Sequence, residues 1–597
     1  MRFIAVALLL MLTAPVLAVA LDGEGTARFV APADPVAKDA WKADMVFTVG
    51  ESGIADGGGI RFYTPPTCWS WPAVDSKHVK LITRSRAKPK WEVQDRQVLG
   101  HIIAVTIHGG KLAPGDKIIY TYDVAQAQKY TQRNLVCKVE SDVTGDGKFA
   151  EINNDLWPKI NVVSGPPAQI RLAAQQIVKP GQRVLVRSIV MDALRNPLDV
   201  DYNGTADVGF IGSEAKQRYE HSRASFSITA PDKPGIYHIH ARAAGLKDEY
   251  LPVKVTDQDD LNIYWGQLHG HTGFSDGIET PTDYYTYGRD IGMLDFCAAN
   301  DHAEGQNVDN KWQRTIAAAR EFYKPGEFVT LAGYEWTAEG HRNVYFAEAT
   351  DDLPLIWGRD ETTPTYWDLV RKLKASGKEA IIGYHTAHPT DLANFDPELQ
   401  RIVELHSMWG TSEYPGNPGW TKTRDPYIPM SCAQSALARG QKLSFVGGGD
   451  SHHGRPGRFW VGSRWNILAH KEGAAAVLAP KLERRDVFDA LKKHNTYATT
   501  GERILLVFEA NGHGMGDEFD ADGPVTIHFE VGATSELSQV DIVRDNVDIW
   551  SKYATGLKFD GEIKDESLTP GSHYYYLRVT QKSGDRAWSS PVYVNKR

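Results

Sequence analysis

Two histidines one residue apart follow a short apolar segment near the middle of the chain. Residues 263–268 lead directly into His269 and His271, and Asp276 lies in the polar stretch that follows. Side chains alternate between the two faces of a strand, so both imidazoles project in the same direction from its end. Imidazole and carboxylate groups are typical ligands of zinc and related metals. Such a pair is often incidental when it stands alone, but here it predicts the first part of a metal site.

Further candidate ligands recur downstream, at or just after other apolar segments that are typical of buried strands. They are His302, Glu335, His341, His385, Glu404, Asp450 and His452. A single buried histidine is usually a core residue with satisfied hydrogen bonds. Many polar groups buried at strand ends without a function would be costly, however. The whole set therefore favours a metal centre.

These residues need a scaffold that brings distant strand ends together. Thr280-Pro281 predicts a helix start, and Thr363-Pro364 predicts a second helix that ends near Gly377. About seven β/α units predict an α/β barrel, in which active-site residues lie where strands end. The candidate strands are residues 263–268, 293–299, 327–334, 343–347, 379–384, 401–405 and 443–447.

The order of the motifs resembles that of the PHP superfamily, which is named for its polymerase and histidinol-phosphatase members. The similarity covers residues 263–500 and an ordered set of motifs: the H-x-H pair, Asp301-His302, Glu335, His385 after an apolar strand and Asp450-Ser451-His452. The resemblance implies a distorted (βα)7 TIM-like barrel. It also implies a cofactor of two or three divalent ions of zinc, manganese or iron.

The resemblance further implies roles for individual side chains. His269 and His271 would bind one metal whose coordination Asp450 completes, and Glu335 would bridge two metals. The remaining ligand positions would fall to Asp276, His302, His341, His385 and His452.

Three residues have more than one interpretation. His388, in a His-Pro pair, competes with His385 for one ligand position. Glu404 and His406 are either ligands or residues that lie behind the ligands. A histidine that is not a ligand, His388 or His406, is a candidate for protonating the leaving group.

The chemistry that such a centre supports is hydrolysis by metal-activated water. Two close divalent ions lower the pKa of water and stabilise charge on the attacking and leaving oxygens, which suits phosphoester hydrolysis. Arg342 and Arg455 lie beside motif residues and are candidates for gripping a phosphate, with a surface arginine as the alternative for each. The sequence thus predicts a phosphoesterase that acts on a small phosphomonoester or phosphodiester. The alternatives are a metallohydrolase of another ester or amide, and a non-catalytic exported binding protein.

The N-terminal residues predict export. Met1-Arg2, the apolar residues 3–17 and the small residues 18–20 are typical of a secretory signal peptide. No other stretch is apolar for long enough to span a bilayer, so we expect a periplasmic or secreted protein. The net charge of -9 gives no nucleic-acid-binding signature. The oligomeric state stays open.

Alternating β patterns flank the barrel region on both sides. The chain of 597 residues is therefore expected to be multidomain, α/β plus all-β. We expect a signal peptide at residues 1–20, an N-terminal β domain at 21–164, an immunoglobulin-like sandwich at 165–256, the PHP-like barrel at 257–501 and a small C-terminal β-sandwich at 502–597.

Two details of this scheme lead to smaller predictions. His238 and His240 are interpreted as surface residues of a sandwich strand without acidic partners. Cys68 and Cys137 share the N-terminal region and are candidates for a disulfide. Cys297 lies in an apolar run and is expected to be buried.

Overall fold

The computed structural model describes residues 22–31, 33–65, 69–70, 72–95, 101–258, 261–358, 365–385, 392–420, 432–460 and 470–597. Strands make up most of the regular structure in these ranges. The chain divides into two compact units, Met1–Ala127 with Gln132–Val162, and Gln128–Thr131 with Val163–Arg597. Residues 1–20, Cys68 and His388 lie outside the described ranges, so the predictions about them stay predictions.

Apart from a short 3-10 helix at Asn154–Leu156, the regular structure in the described residues of the first unit is β, and two larger antiparallel sheets share one aromatic core. The sheets have the orders β1-β2-β7-β4 and β10-β9-β3-β6-β5, and β11 pairs with β8. Trp41 and Phe62 each contact Tyr122 with ring centroids 6.0 Å apart, in edge-to-face geometry. The strands are β1 (Thr26–Val30), β2 (Trp41–Thr48), β3 (Gly59–Tyr63), β4 (Val79–Ile82), β5 (Lys88–Asp95), β6 (His101–His108), β7 (Lys117–Val124), β8 (Gln132–Val136), β9 (Val139–Asp142), β10 (Ala150–Glu151) and β11 (Lys159–Val162).

The second unit begins with two packed sheets, of orders β12-β14-β17 and β13-β19-β18-β15-β16. Alternate apolar residues point inward, so that Val186 of one sheet and Val208 and Val253 of the other lie in a common core. The strands are β12 (Gln169–Ala173), β13 (Ile177–Val178), β14 (Arg183–Met191), β15 (Thr205–Phe210), β16 (Ala215–Arg218), β17 (Arg223–Thr229), β18 (Gly235–Arg242) and β19 (Glu249–Val255).

The two histidines of β18 are buried, so the prediction that they are surface residues is wrong. The ring of His238 is covered by the C-terminal strands, and its Nε2 lies 2.9 Å from the carbonyl oxygen of Ala533. His240 lies between two carboxylates, 3.3 Å from Glu214 and 3.1 Å from Asp248. Both acidic partners lie outside the strand, Glu214 before it and Asp248 in the turn after it, so the pattern of the strand itself did not indicate them.

The region of the candidate ligands continues the second unit. All seven candidate strands occur, with ends shifted by three residues or fewer. The elements are β20 (Asn262–Gln267), α1 (Pro281–Asp290), β21 (Phe296–Ala299), α2 (Ala303–Gln306), α3 (Lys311–Glu321), β22 (Val329–Trp336), β23 (Arg342–Phe346), α4 (Tyr366–Ala375), β24 (Ala380–His385), β25 (Gln400–Ser407), β26 (Gly410–Thr411), α5 (Ala433–Leu437), β27 (Ser444–Gly447), β28 (Ala474–Ala479), α6 (Arg484–Lys492) and β29 (Thr496–Thr499).

These elements do not form the expected (βα)7 barrel. The strand order is β26-β25-β24-β23-β22-β21-β20-β28-β29, with β27 paired to β25. The pairs β20–β21, β21–β22, β24–β25 and β25–β27 are parallel, but β22–β23, β23–β24 and β20–β28 are antiparallel. Only five residues connect β22 to β23, too few for the crossover that parallel strands need. The six helices in the described ranges are also too few for seven β/α units.

Helix boundaries follow the capping signals where these can be compared. Helix α1 begins as predicted, because Thr280 caps it and forms a reciprocal pair of hydrogen bonds with Asp283. Helix α4 begins at Tyr366 after its cap Thr365, and it ends at Ala375, two residues before Gly377. The predicted start at residues 363–364 lies outside the described ranges. None of the helices in these ranges has the length and apolar character of a membrane span.

The C-terminal strands belong to the same sixteen-stranded sheet as the ligand region. Strand β29 pairs with β37, and the sheet continues through β36, β33 and β34, while β31 and β38 extend it at the side. A separate sheet has the order β30-β32-β35. These strands are β30 (Leu505–Ala510), β31 (Glu518–Ala521), β32 (Val525–Gly532), β33 (Leu537–Arg544), β34 (Val547–Tyr553), β35 (Lys558–Asp565), β36 (Gly571–Gln581), β37 (Arg586–Ser589) and β38 (Val592–Lys596).

Candidate metal centre

All ten residues predicted as metal ligands lie in one cluster beside the ends of strands β20–β25 and β27. Parallel neighbours bring these ends together, and His385 of β24 is the direct partner of Glu404 on β25. The side chains form four overlapping groups whose ligand atoms lie within 4.8 Å of one another. The groups are His271, Asp276, His302 and His452; His269, His271, Glu335 and Asp450; His269, His385 and Glu404; and Glu335, His341 and His385.

Glu335 lies at the centre of the cluster, at the end of β22, and is buried. Its Oε2 lies 3.3 Å from His269 Nε2, 3.1 Å from His271 Nε2 and 3.3 Å from His302 Nδ1. Its Oε1 contacts His341 Nδ1. A carboxylate that reaches four imidazoles with both oxygens has the placement of a bridging ligand.

Asp450 is the second central carboxylate. Its Oδ1 lies 3.1 Å from His271 Nε2 and 3.6 Å from His269 Nε2, and its Oδ2 lies 2.9 Å from His385 Nε2. The backbone φ of Asp450 is 47°, in the left-handed region that residues with a side chain rarely adopt. Such backbone conformations concentrate at functional sites, where the surrounding structure holds them.

One side of the cluster is more exposed than the rest. The side chains of Asp276, His302 and His341 are 34%, 24% and 18% exposed, whereas that of His269 is fully buried. Asp276 Oδ1 lies 3.7 Å from His302 Nε2, and Asp276 Oδ2 lies 3.4 Å from His452 Nε2. A small molecule can therefore approach the cluster from the side of these three residues.

Burial and charge have opposite effects on the imidazole pKa values. Burial lowers the pKa of His269 and His385, but the carboxylates of Glu404 and Asp450 outweigh it. The pKa rises to about 9 for His269 and to about 10 for His385. Burial likewise opposes ionisation of Glu335 and Asp450, but the histidines hold the pKa of both carboxyls well below the usual range. Protons on the histidines thus balance the carboxylates here, a task that divalent ions can take over.

The donor set fits divalent transition metals. Six imidazoles and four carboxylates make up the cluster, and such nitrogen and oxygen donors suit zinc, manganese and iron. Four of the residues, His269, His271, Glu335 and His385, each belong to two of the groups. Ions held by neighbouring groups would therefore lie close together.

Asp301 holds the loop that carries two of the candidate ligands, a role that the sequence did not indicate. Its Oδ1 accepts hydrogen bonds from Thr272 N, Ser275 N and Ser275 Oγ at 2.8, 3.1 and 2.6 Å. Its Oδ2 accepts a fourth from Thr272 Oγ1 at 2.6 Å. These contacts fix the chain between His271 and Asp276. The only sequence signal was its place beside a candidate ligand at a strand end.

Asp301→Ala is expected to lower the free energy of unfolding by at least about 3 kcal/mol, because Thr272 and Ser275 lose a buried, charged acceptor. Urea unfolding at a fixed metal concentration measures the change. The matched control is Asp351→Ala, which removes an exposed carboxylate that pairs with Arg320 at the surface. Equal losses in both variants would contradict the role assigned to Asp301.

His406 points away from the cluster, which contradicts the prediction that it protonates a leaving group or binds metal. Its Nδ1 lies 2.9 Å from Thr411 Oγ1, and its Nε2 lies 3.0 Å from the carbonyl oxygen of Lys471. Burial and nearby Arg586 lower its pKa to about 3, so the ring is neutral with both nitrogens engaged. The physical reason is a shift of register between Glu404 and His406, which breaks the alternation that would place both on one face.

Arg342 is buried in the core, which contradicts its predicted role in phosphate binding. Its guanidinium lies 4.4 Å from the ring centre of Tyr366, and 5.9 and 5.7 Å from those of Trp336 and Tyr384. Neighbouring residues of a strand point to opposite faces. Since His341 faces the cluster, Arg342 faces the other way.

Arg455 is likewise engaged in holding the fold. Its Nη2 donates to Glu279 Oε1 at 2.9 Å and to the carbonyl oxygen of Thr131 at 3.1 Å. Its guanidinium also lies over the ring of Tyr287. The prediction of a phosphate-binding Arg455 therefore has no support in this arrangement.

Comparisons with known proteins give relatives of unassigned function. A family model described as "Protein of unknown function (DUF3604)" matches residues 282–395 and 443–533. An uncharacterized protein of Chlamydia muridarum is 26% identical over 518 residues, 79% of this chain and 80% of the relative. An uncharacterized protein of Chlamydia trachomatis is 25% identical over 516 residues, with the same coverage of both chains.

Solved structures show only distant likeness. A two-domain protein from Bacteroides vulgatus, described as containing a predicted PHP-like metal-dependent phosphoesterase, is 15% identical with a TM-score of 0.29. The match covers 55% of this chain and 93% of that one. The adhesin InvE of Yersinia pseudotuberculosis is 12% identical with a TM-score of 0.15, and the match covers 39% and 58% of the two chains. Likenesses of this size carry no argument about function.

Proposed function

We propose that the protein is an exported, metal-dependent hydrolase that cleaves a phosphomonoester or phosphodiester. The observation that carries this proposal is the cluster of ten histidine, aspartate and glutamate side chains, seven of which are buried. Burying so many ionisable groups is costly unless they bind cations.

The groups of the cluster suggest how the chain would hold its ions. His269, His271, Glu335 and Asp450 offer one complete set of four donors. A second set includes Asp276, His302 and His452, and a third includes His341 and His385. When bound, close divalent ions activate water and stabilise the charge that develops on the oxygens of the reacting ester.

Two arguments favour a phosphoester over other substrates. A phosphoester carries negative oxygens, which a site that held several divalent ions would attract. The order of the ligand motifs also resembles that of PHP phosphoesterases. The three more exposed residues, Asp276, His302 and His341, would contact the substrate first.

We also propose that the mature protein acts in the periplasm or outside the cell, on the basis of the signal-like residues 1–20. N-terminal sequencing of the protein recovered from a secretion-competent host tests this. A mature chain that begins near residue 21 supports export. A chain recovered in the cytoplasm with its first residues intact contradicts it.

Turnover assays test the proposed reaction. The full chain is loaded in turn with zinc, manganese and iron, and assayed against phosphomonoesters, phosphodiesters, nucleotides, carboxylic esters and amides. We expect phosphoester hydrolysis that a chelator abolishes and added metal restores. If only the carboxylic esters or the amides are hydrolysed, the substrate belongs to that class and is not a phosphoester. No turnover at full metal content would favour a non-catalytic binding protein.

A further inference from the structure

Glu404 lies behind two histidines of the cluster. Its Oε2 lies 2.9 Å from His269 Nδ1, and its Oε1 lies 3.2 Å from His385 Nδ1. The opposite nitrogens of the same rings face the other carboxylates. His385 Nε2 lies 2.9 Å from Asp450 Oδ2, and His269 Nε2 lies 3.3 Å from Glu335 Oε2. Each carboxylate oxygen of Glu404 therefore contacts one of the two rings.

We propose that Glu404 is a positioning residue and not a metal ligand. It accepts the Nδ1–H of His269 and of His385, and so presents both Nε2 atoms to two neighbouring ions. The inference rests on the proposed function, because it assigns a role within the same metal centre. Glu404 would thereby fix the orientation of two rings, His269 and His385, that bind different ions.

The number of lone pairs and the distribution of charge support this assignment. A neutral imidazole has one nitrogen that binds metal, while the other carries a proton and donates a hydrogen bond. Two carboxylates, Glu335 and Asp450, face the Nε2 side of these rings, together with His271. On the Nδ1 side, Glu404 contacts both rings. The Nε2 side faces two carboxylates, and this greater negative charge attracts divalent ions.

Burial points in the same direction. The side chain of Glu404 is 4% exposed, and those of His269 and His385 are 0% and 1% exposed. A carboxylate buried between two N–H donors satisfies the requirement that a buried charge be hydrogen-bonded.

The backbone leaves space for Glu404 in this position. His385 and Glu404 are direct partners on the parallel strands β24 and β25. Gly448, just after β27, lies against the carboxylate, and a Cβ at this position would be 1.9 Å from Glu404 Oε2. A residue with a side chain at 448 would therefore displace Glu404 from the two rings.

Zinc titration of the metal-free full chain separates a positioning role from ligation. Calorimetry gives the affinity, and elemental analysis of the saturated protein gives the number of ions per chain. We expect Glu404→Gln to bind as many ions as the wild type, with affinity about 10- to 100-fold weaker. An amide has one acceptor oxygen, so one of the two rings loses its partner. Glu335→Gln, which removes a ligand, should instead bind fewer ions.

Substitution at two separate glycines provides a second test, which moves Glu404 without replacing it. Gly448→Ala should weaken zinc binding to a similar extent as Glu404→Gln, because the new methyl group displaces Glu404. The control is Gly523→Ala, since no atom lies within 4 Å of a Cβ at that position. Unchanged zinc affinity in Gly448→Ala would contradict the proposed arrangement.

The structure of the zinc-loaded wild type decides the matter even if a variant fails to fold. We expect both Glu404 oxygens to lie beyond ligand distance, about 2.0–2.2 Å, from every ion and to accept hydrogen bonds from the two Nδ1 atoms. A Glu404 oxygen on zinc, or the loss of a whole zinc equivalent in Glu404→Gln, would overturn this inference alone. A wild type that binds no zinc would overturn the proposed function as well.

Discussion

Glu335→Gln is expected to lower kcat by about 10³-fold or more and to leave the protein folded but short of at least one metal ion. Glu335 contacts four imidazoles of the cluster, and an amide cannot bridge two cations. Metal stabilisation of the transition state is worth several kcal/mol, and about 4 kcal/mol corresponds to about 10³ in rate. Elemental analysis and steady-state kinetics on the best substrate of the panel measure both effects.

The control for this variant is Glu348→Gln, the same change at an exposed position just after β23. It should retain wild-type metal content and activity. Circular dichroism and thermal unfolding establish that both variants are folded. If Glu335→Gln kept full metal content and more than a tenth of the wild-type kcat, Glu335 would not bridge the ions and the proposed centre would be wrong.

Removing the metal is expected to change the pH dependence of stability. In the metal-free chain, the pKa of His269 is raised from 6.5 to about 9 and that of His385 from 6.5 to about 10. Both rings therefore hold protons that the unfolded chain releases. Their stabilising contribution is fully present below pH 6.5 and is lost as the pH rises through these folded-state values. We expect the free energy of unfolding of the metal-free protein to fall by a few kcal/mol across this window.

The metal-loaded protein should behave differently over the same range. Metal requires the deprotonated rings, so binding releases protons and strengthens as the pH rises. The stabilities of the two preparations should therefore diverge towards alkaline pH, and chelation should restore the metal-free profile. Urea unfolding of both preparations at several pH values provides the comparison. Parallel profiles, or zinc binding without proton release, would contradict the proposed charge balance.

The sequence allowed the clustered residues to be predicted because candidate metal ligands are restricted to a few residue types. Histidines and carboxylates at the ends of apolar segments are conspicuous, and parallel neighbours bring those ends together. The structure brings all ten candidates into one cluster. The residues around them gave no comparable signal. Arg342 and Arg455 had the right chemistry beside the right motifs, but their orientation depends on strand faces and on distant partners such as Glu279.

The fold was harder to predict than the site for two physical reasons. Apolar segments indicate where strands lie but not how they pair, so the antiparallel placement of β23 was not anticipated. The alternation of residues along a strand also gives the wrong face where the strand is irregular. At His406, a shift of register turns the side chain away from its expected face. Short connections were the overlooked clue, because a few residues cannot cross over to a parallel strand.

The hydrogen-bonded continuity between β29 and β37 limits how this chain can be divided or recombined. Tyr497 is paired with Ser589 across that junction, and β37 continues into the strands that form the C-terminal part of the sheet. Cutting the chain near residue 501 would expose an unpaired edge beside the ligand region, a site prone to aggregation. The segment that carries the candidate ligands is therefore expected to fold only together with these last strands.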